Sequence, residues 1–141
     1  MSIVDYLLSK KKPISSKAWL VSRYDEDERG KLKLKVTPRY FGTFTLDIVA
    51  KKIIYKGSFM RFKKIEMEIP LESIVSTLVI ANQLKIKWRE GKIFHNAVFL
   101  MGIVGELKVA FPSGDAAKAW KLIIDRAILI LRAKERKKKK K

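Results

Sequence analysis

Alternation of apolar and charged side chains governs most of this chain. From Lys31 to Thr37, Leu32, Leu34 and Val36 fall on one side and Lys31, Lys33 and Lys35 on the other, with Pro38 closing the run. Period two with one wet face predicts an antiparallel strand half-buried on a core. Lys17 to Tyr24 reads as the strand before it, and Asp25-Glu26-Asp27-Glu28-Arg29-Gly30 as the polar turn between them. Tyr40 to Ala50 follows, with Phe44, Leu46 and Ile48 facing in. Lys51-Lys52 turns into Ile53 to Lys56, and Gly57-Ser58 turns into Phe59 to Ile69. In that last run Ile65, Met67 and Ile69 face in, Lys64, Glu66 and Glu68 face out, and Pro70 ends it. Ile74 to Ile80, Leu84 to Trp88, Ile93 to Leu100 and Glu106 to Phe111 complete the strands. Arg89-Glu90-Gly91-Lys92 supplies a hairpin loop with glycine at a left-handed position. Many short strands at close spacing predict a mainly β chain, a meandering barrel or sandwich.

The period then changes. Pro112-Ser113-Gly114-Asp115 has the composition of a helix start, with Ser113 as N-cap. Ala116, Ala119, Trp120, Ile123, Ile124, Ala127, Ile130 and Leu131 recur at three and four. They predict one long helix from about Ser113 to about Lys134, its apolar stripe covering an open barrel end and Trp120 in the mouth. Leu122 and Leu129 fall on the side away from Trp120 at about 100° per residue. Exposed leucines there suit a partner or membrane contact, unless Ile3 to Leu8 covers them. Met1 to Lys12 reads as a short helix with capping-box-like spacing of Ser2 and Asp5, stopped by Pro13.

A chain of 141 residues can bury one core of its own, here residues 1–131, with 132–141 as a polybasic tail. With no cysteine, disulfides, cysteine nucleophiles and thiolate metal sites are excluded, and His95 alone cannot build a multi-histidine site. No apolar run reaches membrane-spanning length. The N-terminal segment places its charges after its apolar stretch, the reverse of a secretory signal. The expectation is a cytoplasmic protein, soluble or peripheral at the inner membrane face. Its formal charge is +18; the last ten residues hold eight basic groups and one acid, so residues 1–131 retain +11. Such a field favours anionic partners: nucleic acid, anionic headgroups or an acidic protein. Plentiful Lys and Glu with little Asn or Gln also fit a hot-growing source, which explains charges of both signs better than the surplus.

No phosphate loop, dinucleotide fingerprint, serine elbow or H-E-x-x-H occurs, and the expectation is a non-enzyme without cofactor or metal. His95 reads as a surface or half-buried strand histidine. Asp25 to Glu28 offers hard ligands for a cation or, equally, a solvated hairpin tip. Three basic groups stand out as anion-binding candidates. Lys31, Lys33 and Lys35 are spaced about 6.5–7 Å apart, comparable to successive phosphates, although the same row serves as ordinary edge protection. Lys51, Lys52, Lys56, Arg61, Lys63 and Lys64 interleave with Tyr55, Phe59 and Phe62. Those rings suit base stacking, insertion among headgroups, or the core. Arg136, Lys137, Lys138, Lys139, Lys140 and Lys141 exceed what a helix macrodipole needs, and serve either as an anion-binding arm or as a solubilising end.

Several tracts in order resemble a family. Gly42-Thr43-Phe44-Thr45-Leu46 followed by Lys52-Ile53-Ile54-Tyr55 resembles the opening hairpin of GRAM and bacterial-type pleckstrin-homology (PH-like) domains. Ile69-Pro70-Leu71-Glu72-Ser73-Ile74 resembles their "I-P-L-x-x-I" step. Leu84 to Trp88, Gly91 and Lys108 to Phe111 resemble the later strands, and Ala116 to Trp120 the closing helix with its buried Trp. The resemblance spans about residues 40–131, with 1–38 as an added helix and hairpin. It implies a bent antiparallel barrel of about seven strands capped by one C-terminal helix, and a binding module rather than an enzyme. The inositide pattern of PH domains has no clean copy; Lys51, Lys52, Lys56, Arg61, Lys63 and Lys64 replace it approximately. The implied function is docking on an anionic surface as a peripheral-membrane adaptor. Non-specific DNA or RNA binding and capture of an acidic protein are the alternatives.

Overall fold

The computed structural model describes residues 3–36, 39–60, 62–102 and 115–139, with backbone alone for 3, 34–36 and 137–139. The expected strand Glu106 to Phe111 and the Ser113 cap lie outside these residues. Helix α1 (Ile3–Ser9) precedes β1 (Ile14–Glu26), β2 (Leu32–Val36), β3 (Tyr40–Asp47), β4 (Lys52–Phe59) and β5 (Lys63–Pro70). A 3-10 turn (Leu71–Ser73) leads to β6 (Ile74–Ile80), β7 (Gln83–Glu90) and β8 (Ile93–Met101), and α2 (Ala116–Lys139) closes the chain.

The fold is mainly β. Seven strands form one antiparallel path, β5-β4-β3-β1-β8-β7-β6, curled into a half-barrel, and β2 pairs with β1 beside it. The length of β1 makes this possible. Ile14 to Leu20 pair with β3 and Arg23 to Glu26 with β2, while β8 follows its other edge from Ala18 to Glu26. Gly42 and Gly57 sit directly opposite each other on β3 and β4. A Cβ on Gly42 would collide with the Lys56 carbonyl and the Gly57 Cα, so the two backbones approach where no side chain fits.

Alternate residues of the path face one core. Leu20, Phe44, Leu46, Ile53, Tyr55, Ile69, Leu84, Ile86 and Phe99 are fully buried, as is Trp120 on α2. The Tyr55 hydroxyl donates toward the carbonyls of Ala18 and Tyr40, both at 3.0 Å, which ties β4 to β1 and β3. Burial pushes its phenol up to about 12. Helix α2 lies along β6, β7 and β8, and α1 packs on α2 with Val4, Leu7 and Leu8 buried. Arg126 Nε donates to Asp5 Oδ1 at 2.6 Å across that junction.

Four expectations change. Gly57-Ser58 is not a turn: β4 runs through it to Phe59, and the reversal falls at residues 60–62. Asp25 and Glu26 belong to β1 rather than to the loop. Leu32 does not face a core and is 62% exposed. Its register partner is Glu26, itself paired with Phe94, on the side of the sheet opposite Ala97 and Phe99, where no described element packs over it. Helix α2 continues to Lys139, beyond the expected end near Lys134.

Candidate functional site

The β4–β5 hairpin separates its basic residues into two groups. Lys52 pairs with Glu68 at 2.9 Å and Lys56 approaches Glu66 at 3.9 Å, because Glu66 lies opposite Lys56 and Glu68 opposite Ile54, beside Lys52 on the same face. These two lysines are compensated along the strands. Toward the tip the compensation ends. Lys63 and Lys64 are exposed and form no ion pair among the described residues. Between β4 and β5 stand Met60, 71% exposed and in the left-handed region (φ 48°), and Phe62, 93% exposed. Arg61 lies outside the described residues. Of the three aromatic rings in this tract, Tyr55 is core, Phe59 is half-buried against Tyr40, and Phe62 points into solvent. Lys51 is exposed at the other end of β4, in a left-handed turn whose carbonyl accepts from Leu71.

A shallow groove of about 530 Å³ runs from Phe41 past Gly42 and Gly57 to Lys56, Ser58 and Lys64, with Ile65 and Glu66 also in its lining. Phe41 packs against Trp19 in a tilted contact, centroids 4.7 Å apart, and both rings are partly exposed. Apolar surface and lysine therefore adjoin on this wing of the sheet.

The β2 lysines lie in a different setting. Lys31 and Lys33 line a cleft of about 560 Å³ with Asp25, Glu26, Asp27, Leu32 and Ile93. Three carboxylates face two ammonium groups there, so this is not a purely cationic surface. Of Lys35 only the backbone is described. The acidic cluster does not converge on a cation. Asp27 Oδ1 caps its turn by accepting from the N–H groups of Arg29 and Lys31, Glu26 meets Lys87 and Asn96, and Glu28 lies 3.8 Å from Lys92. Asp25 Oδ1 is 2.7 Å from His95 Nδ1, and Glu90 Oε2 is 3.0 Å from His95 Nε2. His95 is the half-buried strand histidine the sequence implied. Among the described residues no group of three metal-ligating side chains is assembled.

Beyond Leu131, Arg132 to Arg136 of α2 are all exposed, and Arg132 and Glu135 line a small cavity with Leu71 and Glu72. The helix continues in backbone through Lys137, Lys138 and Lys139; Lys140 and Lys141 lie outside the described residues. Leu122 and Leu129 are 51% and 55% exposed, so α1 does not cover them.

One basic row escaped the sequence reading. Lys85, Lys87 and Arg89 alternate along β7 on the outer face, over rings from β1 and β8. Lys85 Nζ lies 5.3 Å from the Tyr24 ring, Lys87 Nζ 4.8 Å and Arg89 5.5 Å from that of Phe94. The alternation Lys85-Ile86-Lys87-Trp88-Arg89 was visible; that Tyr24 and Phe94 would lie beside it depends on the β1–β8–β7 register. Among the described residues no helix is long and apolar enough to cross a membrane. Neither the protein-family models nor the curated proteins contain a match to this chain.

Proposed function

We propose that this protein is a non-enzymatic PH/GRAM-like binding module that docks peripherally on an anionic membrane and serves there as an adaptor. The observation that carries this reading is the β4–β5 tip. Met60 and Phe62 protrude, largely exposed, flanked by Lys63 and Lys64, which form no ion pair among the described residues. Charge alone does not distinguish a membrane from nucleic acid. An apolar anchor beside the charges does, because Phe and Met gain free energy by leaving water for the acyl boundary. The lysine-rich end of α2 adds about 1 kcal/mol per basic residue near an anionic surface. The strand path supports the family resemblance: four strands on one side of the β1–β8 junction, three on the other, and a C-terminal helix that buries Trp120.

A second reading, non-specific nucleic-acid binding, draws on the β7 row of Lys85, Lys87 and Arg89 beside Tyr24 and Phe94. Those rings already carry cations, and Lys87 is paired with Glu26 at 3.3 Å, so the row offers fewer free groups than the tip. The deciding experiment is vesicle co-sedimentation with phosphatidylserine-containing and neutral phosphatidylcholine vesicles, at low and high salt. A pull-down from native lysate with and without nuclease runs beside it. Wild type should sediment with anionic vesicles, and Met60→Ser with Phe62→Ser should lose most of that binding while keeping its fold. Nuclease-sensitive capture with no vesicle binding would replace this reading with the nucleic-acid one. Salt-sensitive, nuclease-resistant capture of an acidic protein, again without vesicle binding, would replace it with the third.

A further inference from the structure

The outer face of the wing formed by β1, β3, β4 and β5 changes polarity in steps toward the β4–β5 tip. Register sets Trp19 opposite Phe41, Phe41 opposite Ser58 and Ser58 opposite Lys64, one row across four strands. The next row away from the tip is Lys17, Thr43, Lys56 and Glu66. These positions alternate along the strands with buried Ala18, Phe44, Tyr55 and Met67, so both rows lie on the face turned from the core. In the far row both signs of charge occur: Lys56 approaches Glu66 at 3.9 Å, and Lys17 Nζ lies 3.5 Å from Thr43 Oγ1. The near row holds one lysine, no acid, and two rings that are each 42% exposed. Two residues beyond it on the lines of β3, β4 and β5 stand Arg39, Met60 and Phe62. Arg39, like Lys63 and Lys64, is exposed and forms no ion pair among the described residues.

We infer, resting on the membrane reading above, that this near row is a second depth of the docking site: Trp19 and Phe41 lie at headgroup level on the same anionic bilayer that takes Met60 and Phe62. The spacing fits. A strand rises about 3.3 Å per residue, which sets the rings about 6–7 Å behind the tip. Apolar groups of surface-bound proteins sink about 5–10 Å into the boundary between headgroups and acyl chains. A tip at that depth brings the rings to the interface, where tryptophan is favoured for its apolar body and single N–H. The groove from Phe41 to Ser58 and Lys64 makes this surface continuous with the tip.

Charge selects the bilayer over single-stranded nucleic acid, which also stacks on exposed rings. The cations nearest the rings and the tip, Arg39, Lys63 and Lys64, have no acid among them, and they meet the anionic headgroups. The first acids on this face are Glu66 and Glu68, behind the rings on β5. They would repel a phosphate chain crossing the sheet. In the bilayer geometry they stand a row or more farther out, on the aqueous side, already facing Lys56 and Lys52.

Trp19 reports on this directly, because the other two tryptophans, Trp88 and Trp120, are buried. The probe is vesicles of phosphatidylserine and phosphatidylcholine in equal parts, with brominated phosphatidylcholine as the quencher inside the membrane and acrylamide as the quencher in water. Binding of the full chain should shift its emission to the blue, expose it to the bromolipid and shield it from acrylamide. Trp19→Phe, which keeps a ring, should lose these changes and still sediment with the vesicles. Trp19→Ala and Phe41→Ala should each weaken sedimentation about three- to tenfold, the part of a ring's transfer energy left to gain at 42% exposure, with unchanged circular dichroism. The quenching of wild type needs no variant and decides the matter if the alanine chains fold poorly. Vesicle binding with Trp19 still open to acrylamide and untouched by bromolipid would overturn this inference and leave the tip reading standing. Folded ring variants that bind like wild type would overturn it as well. No vesicle binding by wild type would overturn both readings. Shielding of Trp19 by oligodeoxythymidine in place of vesicles would overturn it in favour of a base-stacking platform.

Discussion

Trp120→Ala removes the side chain on which the two wings of the sheet and α2 converge. The indole is fully buried, with its ring 4.9 Å from Phe44 in an edge contact; Phe44 meets Phe99 at 5.0 Å, and Phe99 meets Tyr55 at 5.2 Å. Its Nε1–H lies 2.9 Å from Ser16 Oγ and 3.2 Å from the Gly102 carbonyl. Truncating a buried Trp costs about 3–5 kcal/mol through lost transfer energy and residual cavity. That is a large part of the roughly 5–15 kcal/mol available to a domain. Trp120→Phe keeps most of the apolar area and loses the donor, at about 1–3 kcal/mol. Urea unfolding followed by far-ultraviolet circular dichroism avoids the signals of Trp19 and Trp88 and reads both variants on one scale. The midpoint should fall in the order wild type, Phe, Ala, with an unchanged slope. A loss below about 1 kcal/mol for Trp120→Ala would refute the claim that this ring joins helix to sheet. Equal losses for Phe and Ala would refute the division between packing and hydrogen bonding.

Tyr55 makes stability fall at alkaline pH. Its phenol is raised from 10.0 to about 12 by burial, so the unfolded chain ionises first. Stability is fully present below pH 10 and declines by up to about 2–3 kcal/mol as pH rises toward 12. Urea titrations across that range should show the decline in wild type and its absence in Tyr55→Phe. Gly42→Ala forces a Cβ into the Lys56 carbonyl and should cost more than about 2 kcal/mol, whereas Gly30→Ala, in open space at φ +80°, should cost about 1 kcal/mol; thermal melts of the two compare them. Deleting Arg136 to Lys141 should leave the melting temperature unchanged while weakening binding to anionic vesicles and flattening its salt dependence. Equal binding at every salt concentration would make the tail a solubiliser only.

Period and turn chemistry made much of the architecture legible. Phe44, Leu46, Met67, Ile69, Leu84, Ile86 and the stripe from Ala116 to Ala127 are buried as their spacing requires. The errors share one cause. Gly57-Ser58 read as a turn because glycine usually marks one, yet within a strand it also marks close approach of two backbones, and Gly42 across the ladder shows which applies. Leu32 read as core because alternation assigns two faces without saying which one a neighbouring layer covers. The candidate site was legible as composition only. Which lysines are compensated depends on register: Lys56 meets Glu66 because β4 and β5 pair that way, and no local pattern states it. The same holds for the edge status of β6, which follows from the strand order rather than from the strand.

The charge surplus is not spread evenly, and its distribution bears on why it exists. A surface built for heat resistance sets charges of both signs against one another in networks. Here eleven of the fourteen acids are engaged, Glu72 and Glu135 standing apart among the described residues. Asp5, Glu26, Glu28, Glu66, Glu68, Asp115 and Asp125 each lie against a lysine or arginine, Asp25 and Glu90 against His95, and Asp27 and Asp47 cap turns. Little negative charge is left to answer the remaining cations. At physiological salt each charge is felt over about 8 Å, so uncompensated lysines matter where they stand together. They do so at Lys63 and Lys64, beside Met60 and Phe62, and along the exposed end of α2, where Arg132, Lys134 and Arg136 stand with the single acid Glu135. Neither place contributes to the core, and both leave cations paired with nothing in the described chain. Their mutual repulsion lowers stability slightly, and these two places are where the anionic surface proposed above would make its contacts.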